Sequence, residues 1–198
     1  MKRKIIKIIG ETIYLIRISI LKIFVPEIHK YRTERRMIDF VEKHFNSRLT
    51  GVEIGVLFGK NAERMLKKLK IKKLFLVDPY VPYGNNPYID NNIEEARIKA
   101  KKRLSKFKEV VFIEKKPSEA VNDVPDNLDF VYIDGNHDYE FVKKDIELYY
   151  PKVKKNGVIG GHDFITNYLG VCRAVVEFAT KKNLQLCGSG LDWWVVKR

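Results

Sequence analysis

Leu128-Asp129-Phe130-Val131-Tyr132-Ile133-Asp134-Gly135-Asn136-His137 reads as a buried strand that carries an acid to the edge of a sheet. A second run, Gly157-Val158-Ile159-Gly160-Gly161-His162-Asp163, repeats the pattern: apolar residues, then a carboxylate with a histidine beside it. In open α/β sheets, ligands bind at the carboxyl ends of strands. If these two strands are parallel neighbours, their ends lie only about 5 Å apart. Two carboxylates that close need a positive neighbour or a shared proton, and a metal or a cationic cofactor would serve.

Around these runs the chain alternates. The pattern predicts strands at Gly51–Gly55, Lys73–Asp78, Val110–Glu114, Leu128–Asp134 and Gly157–Asp163. Helices are expected at Asn61–Leu69, Ile93–Phe107, Ser118–Asn122, Tyr139–Tyr150 and Leu169–Thr180. Such alternation implies an α/β fold, a parallel sheet with helices on both faces. Two further strands, Leu184–Cys187 and Trp193–Val196, flank Gly188-Ser189-Gly190 and suggest an antiparallel hairpin at one edge. Trp193 and Trp194 are expected in core or edge positions. The longest loop, Pro79–Asn92, carries Tyr80, Tyr83 and Tyr88, which either stack on a sugar ring or face solvent.

At 198 residues the chain is long enough to bury a core, and 45% hydrophobic with 32% charged residues excludes a disordered protein. The net charge of +13 points to an anionic partner or to a Lys-rich surface. Residues 1–36 hold ten Lys/Arg and three acids, which is +7 of that total. Ile/Leu-rich sequence runs from Ile5 to Val25, interrupted by Glu11, Arg17 and Lys22. No run reaches the ~20 apolar residues that span a bilayer, and no small-residue cleavage site follows.

Residues 1–49 are therefore expected to form a basic amphipathic helical extension. Pro26 ends its first helix and a second covers Arg32–Phe45. Two readings stay open: packing on the catalytic domain or on a partner subunit of a homo-oligomer, and lying in the plane of an anionic membrane. Cys172 and Cys187 have no paired spacing, which points to a reducing cytoplasm. The membrane reading would place the protein at the inner face of the membrane.

Val52-Glu53-Ile54-Gly55-Val56-Leu57-Phe58-Gly59 puts glycines on either side of a tight strand-to-helix turn, where backbone approaches a ligand closely. Leu57 stands where the dinucleotide fingerprint needs its second glycine, and no P-loop is present. The next strand ends in Asp78, placed to accept ribose hydroxyls. These two stretches resemble motifs one and two of class I S-adenosylmethionine-dependent methyltransferases. Ile133-Asp134-Gly135-Asn136-His137-Asp138-Tyr139 and Gly160-Gly161-His162-Asp163 resemble the branch that holds metal-dependent sugar and macrolide O-methyltransferases and cephalosporin-hydroxylase-like proteins.

The resemblance covers residues 50–198 in order and makes them an S-adenosylmethionine-binding domain. It implies a Rossmann-like seven-stranded sheet of order 3-2-1-4-5-7-6 with strand 7 antiparallel. It also implies that Glu53, Gly55 and Gly59 line the methionine side, that Asp134 faces the cofactor, that Asp78 holds the ribose and that Ser118 contacts adenine. Ser118 equally suits a plain helix N-cap.

Methyl transfer from a sulfonium to oxygen is an in-line displacement, and a neutral hydroxyl is a poor nucleophile. His137 is a suitable general base, at the position where catechol O-methyltransferase-like enzymes carry a lysine. Asp134 and Asp163 would suit Mg²⁺ or another divalent cation. Phe164 stands where related enzymes carry a third acid or amide, which leaves three alternatives open: a weak metal site, one that takes His162 as its third ligand, or no metal site. The expected function is O-methyl transfer to a hydroxyl of a small molecule or glycan, metal-assisted or not. An RNA methyltransferase is one rival, although most of the excess charge precedes residue 37 and no RNA-recognition motif is visible. The other is a non-catalytic membrane-associated binding module of the same fold, which Phe164 favours.

Overall fold

A computed structural model describes residues 34–83 and 90–198. The helix expected over Ile5–Val25, the membrane contact assigned to it, and Tyr88 lie outside the described residues. Among the described residues no helix is long and apolar enough to cross a membrane. Arg35–Arg198 form one compact unit.

Seven strands make one sheet: β1 Leu49–Ile54, β2 Ile71–Val77, β3 Val110–Ile113, β4 Leu128–Ile133, β5 Val153–Gly161, β6 Cys187–Ser189 and β7 Asp192–Val196. Their order is β3-β2-β1-β4-β5-β7-β6. The first five strands pair in parallel, and β7 runs antiparallel to both β5 and β6. The expected order and the reversed seventh strand are both present. The helices are α1 Arg36–His44, α2 Lys60–Lys68, α3 Ile93–Leu104, α4 Pro117–Ala120, α5 Tyr139–Tyr149 and α6 Leu169–Lys181.

Successive side chains of β4 enter opposite layers, as the two-residue period of a strand requires. Val131 and Ile133 pack with Val142 and Ile146 of α5 and Val175 of α6. Phe130 and Tyr132 pack with Met37 and Val41 of α1, Met65 of α2 and Leu104 of α3. All of β4 is buried, so it reads as a continuous apolar run. Trp193 and Trp194 divide between the same two layers, and Trp194 stacks on Phe40 at 5.3 Å.

Several element boundaries differ from expectation; β5, for example, begins at Val153 rather than Gly157, and the helix expected over Ser118–Asn122 covers Pro117–Ala120. Met37, Ile38 and Val41 of α1 are core residues of the compact unit that starts at Arg35. Strand β6 forms at Cys187–Ser189 rather than Leu184–Cys187. Pairing of Cys187 with Trp194 and of Ser189 with Asp192 moves the turn to Gly190-Leu191, where Gly190 adopts φ 64°.

Asp192 joins three elements from inside the core. One of its carboxylate oxygens accepts the Met37 backbone N–H at 2.9 Å, an amide that the first turn of α1 leaves without a helical partner. The other accepts the Tyr132 hydroxyl at 2.8 Å. Asp192→Ala is expected to destabilise the fold by about 3 kcal/mol, because both donors stay buried without an acceptor. A urea titration should show a lower midpoint with an unchanged slope.

Candidate active site

Pairing of Ile133 with Gly161 brings the ends of β4 and β5 together, so Asp134, His162 and Asp163 meet at one edge of the sheet. His162 Nδ1 lies 3.1 Å from Asp163 Oδ1 and 3.9 Å from Asp134 Oδ1. His137 Nε2 lies 2.8 Å from Asp163 Oδ2, a charge contact whose angles fall short of an aligned hydrogen bond. The His137 ring packs on Tyr168 at 4.3 Å. A small pocket opens among Asp134, Asn136, His137, His162, Val171 and Trp193.

The positive neighbour that the two acids require comes from α1. Arg35 Nη1 donates to His162 Nε2 at 2.7 Å, and Nη2 pairs with Asp134 Oδ2 at 3.5 Å. Burial pushes the Asp134 carboxyl up, and His162 and Arg35 only partly offset that. Burial also works against charge on Asp163, yet His137 and His162 outweigh it and hold this carboxyl below its usual range. For His137, burial favours the neutral ring, but the Asp163 carboxylate prevails and holds the imidazole above its ordinary 6.5. Burial drives Asp192 up to about 6.

At the cofactor end, Gly55 adopts φ 85°, and a Cβ there would lie 2.2 Å from the Asp134 carbonyl oxygen. The turn after β1 therefore presses against the end of β4 as only glycine allows. Gly59, at φ 70°, opens α2. Glu53 is wholly buried; its Oε1 accepts the Asn61 side-chain amide at 2.8 Å, while Oε2 has no hydrogen-bond partner. Burial raises its carboxyl from 4.5 to about 8, with Asn61 acting the other way and Asp134 adding to the rise.

Asp78 is committed to shaping this turn. Its Oδ2 accepts the Val56 and Leu57 N–H groups at 2.8 and 2.9 Å, and Oδ1 accepts that of Tyr80 at 2.8 Å. A carboxylate has about four acceptor directions, so one remains for a ribose hydroxyl. Ser118 lies in the first turn of α4, half-buried, and is not its N-cap; Lys116 holds that position. Leu57, Tyr80 and Asp163 take left-handed backbone at φ 47°, 48° and 60°, just beyond β1, β2 and β5. Such strain costs about 1 kcal/mol or more per residue and gathers at functional sites.

Four acids, Glu53, Asp134, Asp163 and Asp192, thus gather about one permanent cation, Arg35, and two imidazoles, His137 and His162. Burial pushes three of these carboxyls up; a cationic cofactor brought against this edge would favour their ionised forms and meet the unpartnered Glu53 oxygen. A divalent ion fits less well. Asp134, His162 and Asp163 each bring a ligand atom within 4.8 Å of the others. Arg35, however, donates to His162 Nε2, which places the proton of the neutral ring on Nδ1, the nitrogen that faces both carboxylates. Arg35, Asn61, Tyr168 and Asp192 carry no motif, and α1 was read as part of a basic extension. The one available signal was electrostatic, the need for a cation beside two acids.

The reversed seventh strand, the glycine turn after β1 and the acids beyond β2, β4 and β5 define a class I S-adenosylmethionine-dependent methyltransferase fold. The chain belongs to the methyltransferase domain family, whose profile its residues 52–164 match. An uncharacterized protein, R132 of Acanthamoeba polyphaga mimivirus, is 32% identical over 121 residues, covering 59% of this chain and 52% of the relative. The chain thus spans about half the length of that curated relative. Among solved structures, SMU.1697c, a putative methyltransferase from Streptococcus mutans in complex with SAH, superposes with a TM-score of 0.64 at 14% identity. That match covers 83% of this chain and 99% of the other. The O-methyltransferase NovP gives 0.61 at 18% identity, over 86% and 79% of the two chains.

The Glu53 carboxyl titrates near 8 when folded against 4.5 otherwise, so folding takes up a proton in that window. Its contribution to stability is complete below about pH 4.5 and is lost as pH rises through about 8. Glu53→Gln keeps the Asn61 contact and removes the titration. Thermal melts across this range should show the variant gaining on the wild type as pH rises, with no further gain above pH 8.

Proposed function

We propose that the protein is an S-adenosylmethionine-dependent O-methyltransferase that methylates a hydroxyl of a small molecule or glycan, with His137 as general base. The observation that carries this reading is His137 Nε2 against Asp163 Oδ2, at the sheet edge beside the glycine turn. With Nε2 facing the carboxylate, Nδ1 is the nitrogen left to take the acceptor proton. Asp163 steadies the imidazolium that results, as an orienting acid does for a histidine base.

When bound, S-adenosylmethionine supplies an electrophilic methyl group, so that attack by the acceptor oxygen forms the new O–C bond as the S–C bond breaks. Glu53 and Asp134 face the methionine end, where a bound sulfonium would favour the ionised forms that burial otherwise disfavours, and Gly55 and Gly59 let the backbone approach there. Asp78 offers its remaining acceptor direction to the ribose, and Ser118 lies toward the adenine end. Likeness to NovP, an O-methyltransferase, supports oxygen as the acceptor atom. The exposed rings of Tyr83 and Phe141, edge to face at 6.0 Å, and Tyr168 against His137 offer aromatic surface for a sugar or other ring.

Calorimetric titration with S-adenosylmethionine tests the cofactor, and an absence of binding overturns the proposal. On an acceptor found by screening hydroxylated compounds, His137→Ala should lower kcat by about 10²–10⁴-fold while cofactor binding persists. Activity should fall as pH drops through the raised His137 pKa. Asp163→Asn, which removes the charge that raises it, should move that acidic limb to lower pH; an unmoved limb assigns the base elsewhere.

A further inference from the structure

We propose that Arg35 is a tautomer lock on His162 that keeps the Asp134–His162–Asp163 cluster closed to divalent cations, so that the cluster works on protein charge alone. A guanidinium offers donors and no acceptor. The 2.7 Å contact between Arg35 Nη1 and His162 Nε2 therefore uses the lone pair of Nε2. A neutral imidazole has a single acceptor nitrogen, so the proton sits on Nδ1. That nitrogen points at the cluster, 3.1 Å from Asp163 Oδ1 and 3.9 Å from Asp134 Oδ1. A nitrogen bearing a proton is no metal ligand.

The other acceptor positions are also met from within the chain. Asp163 Oδ2 faces His137 Nε2 at 2.8 Å, and Asp134 Oδ2 faces Arg35 Nη2 at 3.5 Å. Phe164 supplies no further ligand. Arg35 is held in place by its neighbour, since the Met37 amide is bound to Asp192 and the Met37 side chain is fully buried. Arg35 is thus a positioning residue that acts through His162. The inference stands apart from methyl transfer, because ring tautomer and ion binding are both read without turnover.

The test uses the full chain with ¹⁵N-labelled histidine. Long-range ¹H–¹⁵N correlation should report the Nδ1–H tautomer for His162 in the wild type, and Mn²⁺ titrated alone should show no binding at the cluster below the millimolar range. Arg35→Met removes the donor and keeps an unbranched side chain. It should leave Nε2 free to carry the ring proton, so that Nδ1 can take a cation in place of its own, and tighten Mn²⁺ binding by about 10-fold or more, the scale of outer-shell effects on metal sites. Adding Asp163→Asn should abolish that gain. An Nε2–H tautomer in the wild type, or equal Mn²⁺ affinity with and without the guanidinium, overturns the proposal. Should Arg35→Met fail to fold, Arg35→Leu takes its place with the same Mn²⁺ readout deciding, and Nε2–H or submillimolar binding in the wild type overturns the lock in either case.

Discussion

Asp134 and Asp163 leave adjacent parallel strands at the same edge of the sheet, and their repulsion has to be relieved before a site can exist there. The relief comes from different sides. Arg35 reaches Asp134 from the first helix, and His137 reaches Asp163 from the loop after β4. The consequence is a division between two like residues. Asp163 is held ionised between two imidazoles, while Asp134, whose burial is less fully offset, is pushed toward its neutral form. One carboxylate is thereby suited to steady a developing charge. The other stands beside Glu53, whose carboxyl it helps to raise, on the side where the glycine turn comes closest.

Of the six non-glycine residues with left-handed backbone among the described residues, the three that are not asparagine gather at the same edge. The left-handed residues Leu57, Tyr80 and Asp163 all follow strand ends on the working edge. Asp78 receives three backbone N–H groups from the turns that contain two of them, so the strain at Leu57 and Tyr80 is compensated by charge-assisted hydrogen bonds. An acid expected to meet a ribose is thus also what shapes the turn that precedes it.

Much of this was legible in the chain because the relevant signals are local. Fully buried strands ending in acids, glycines at a strand-to-helix turn and strict alternation of elements each follow from steric and solvation rules that act over a few residues. They placed Glu53, Gly55, Asp134, His137, His162 and Asp163 in one region. Arg35 was hidden for the opposite reason. It is one of ten cations in residues 1–36, and only contacts 99 and 127 residues away single it out. Asp192 was hidden likewise, since its partners Met37 and Tyr132 lie on other elements. The position of β6 depended on pairing register, which neighbouring residues do not encode.

The hydrogen bond from Met37 to Asp192 has a consequence in time. The two residues are 155 positions apart, and the later one stands at the start of the last strand. During synthesis at roughly 5–20 residues per second, every other member of the cluster emerges before the residue that anchors the helix bearing Arg35. For about ten seconds or more after α1 is made, the guanidinium has no fixed seat and the two acids lack their full counter-charge. A nascent chain that already holds His137, Asp134 and Asp163 therefore still lacks the geometry of the finished cluster, and the closing strand completes it.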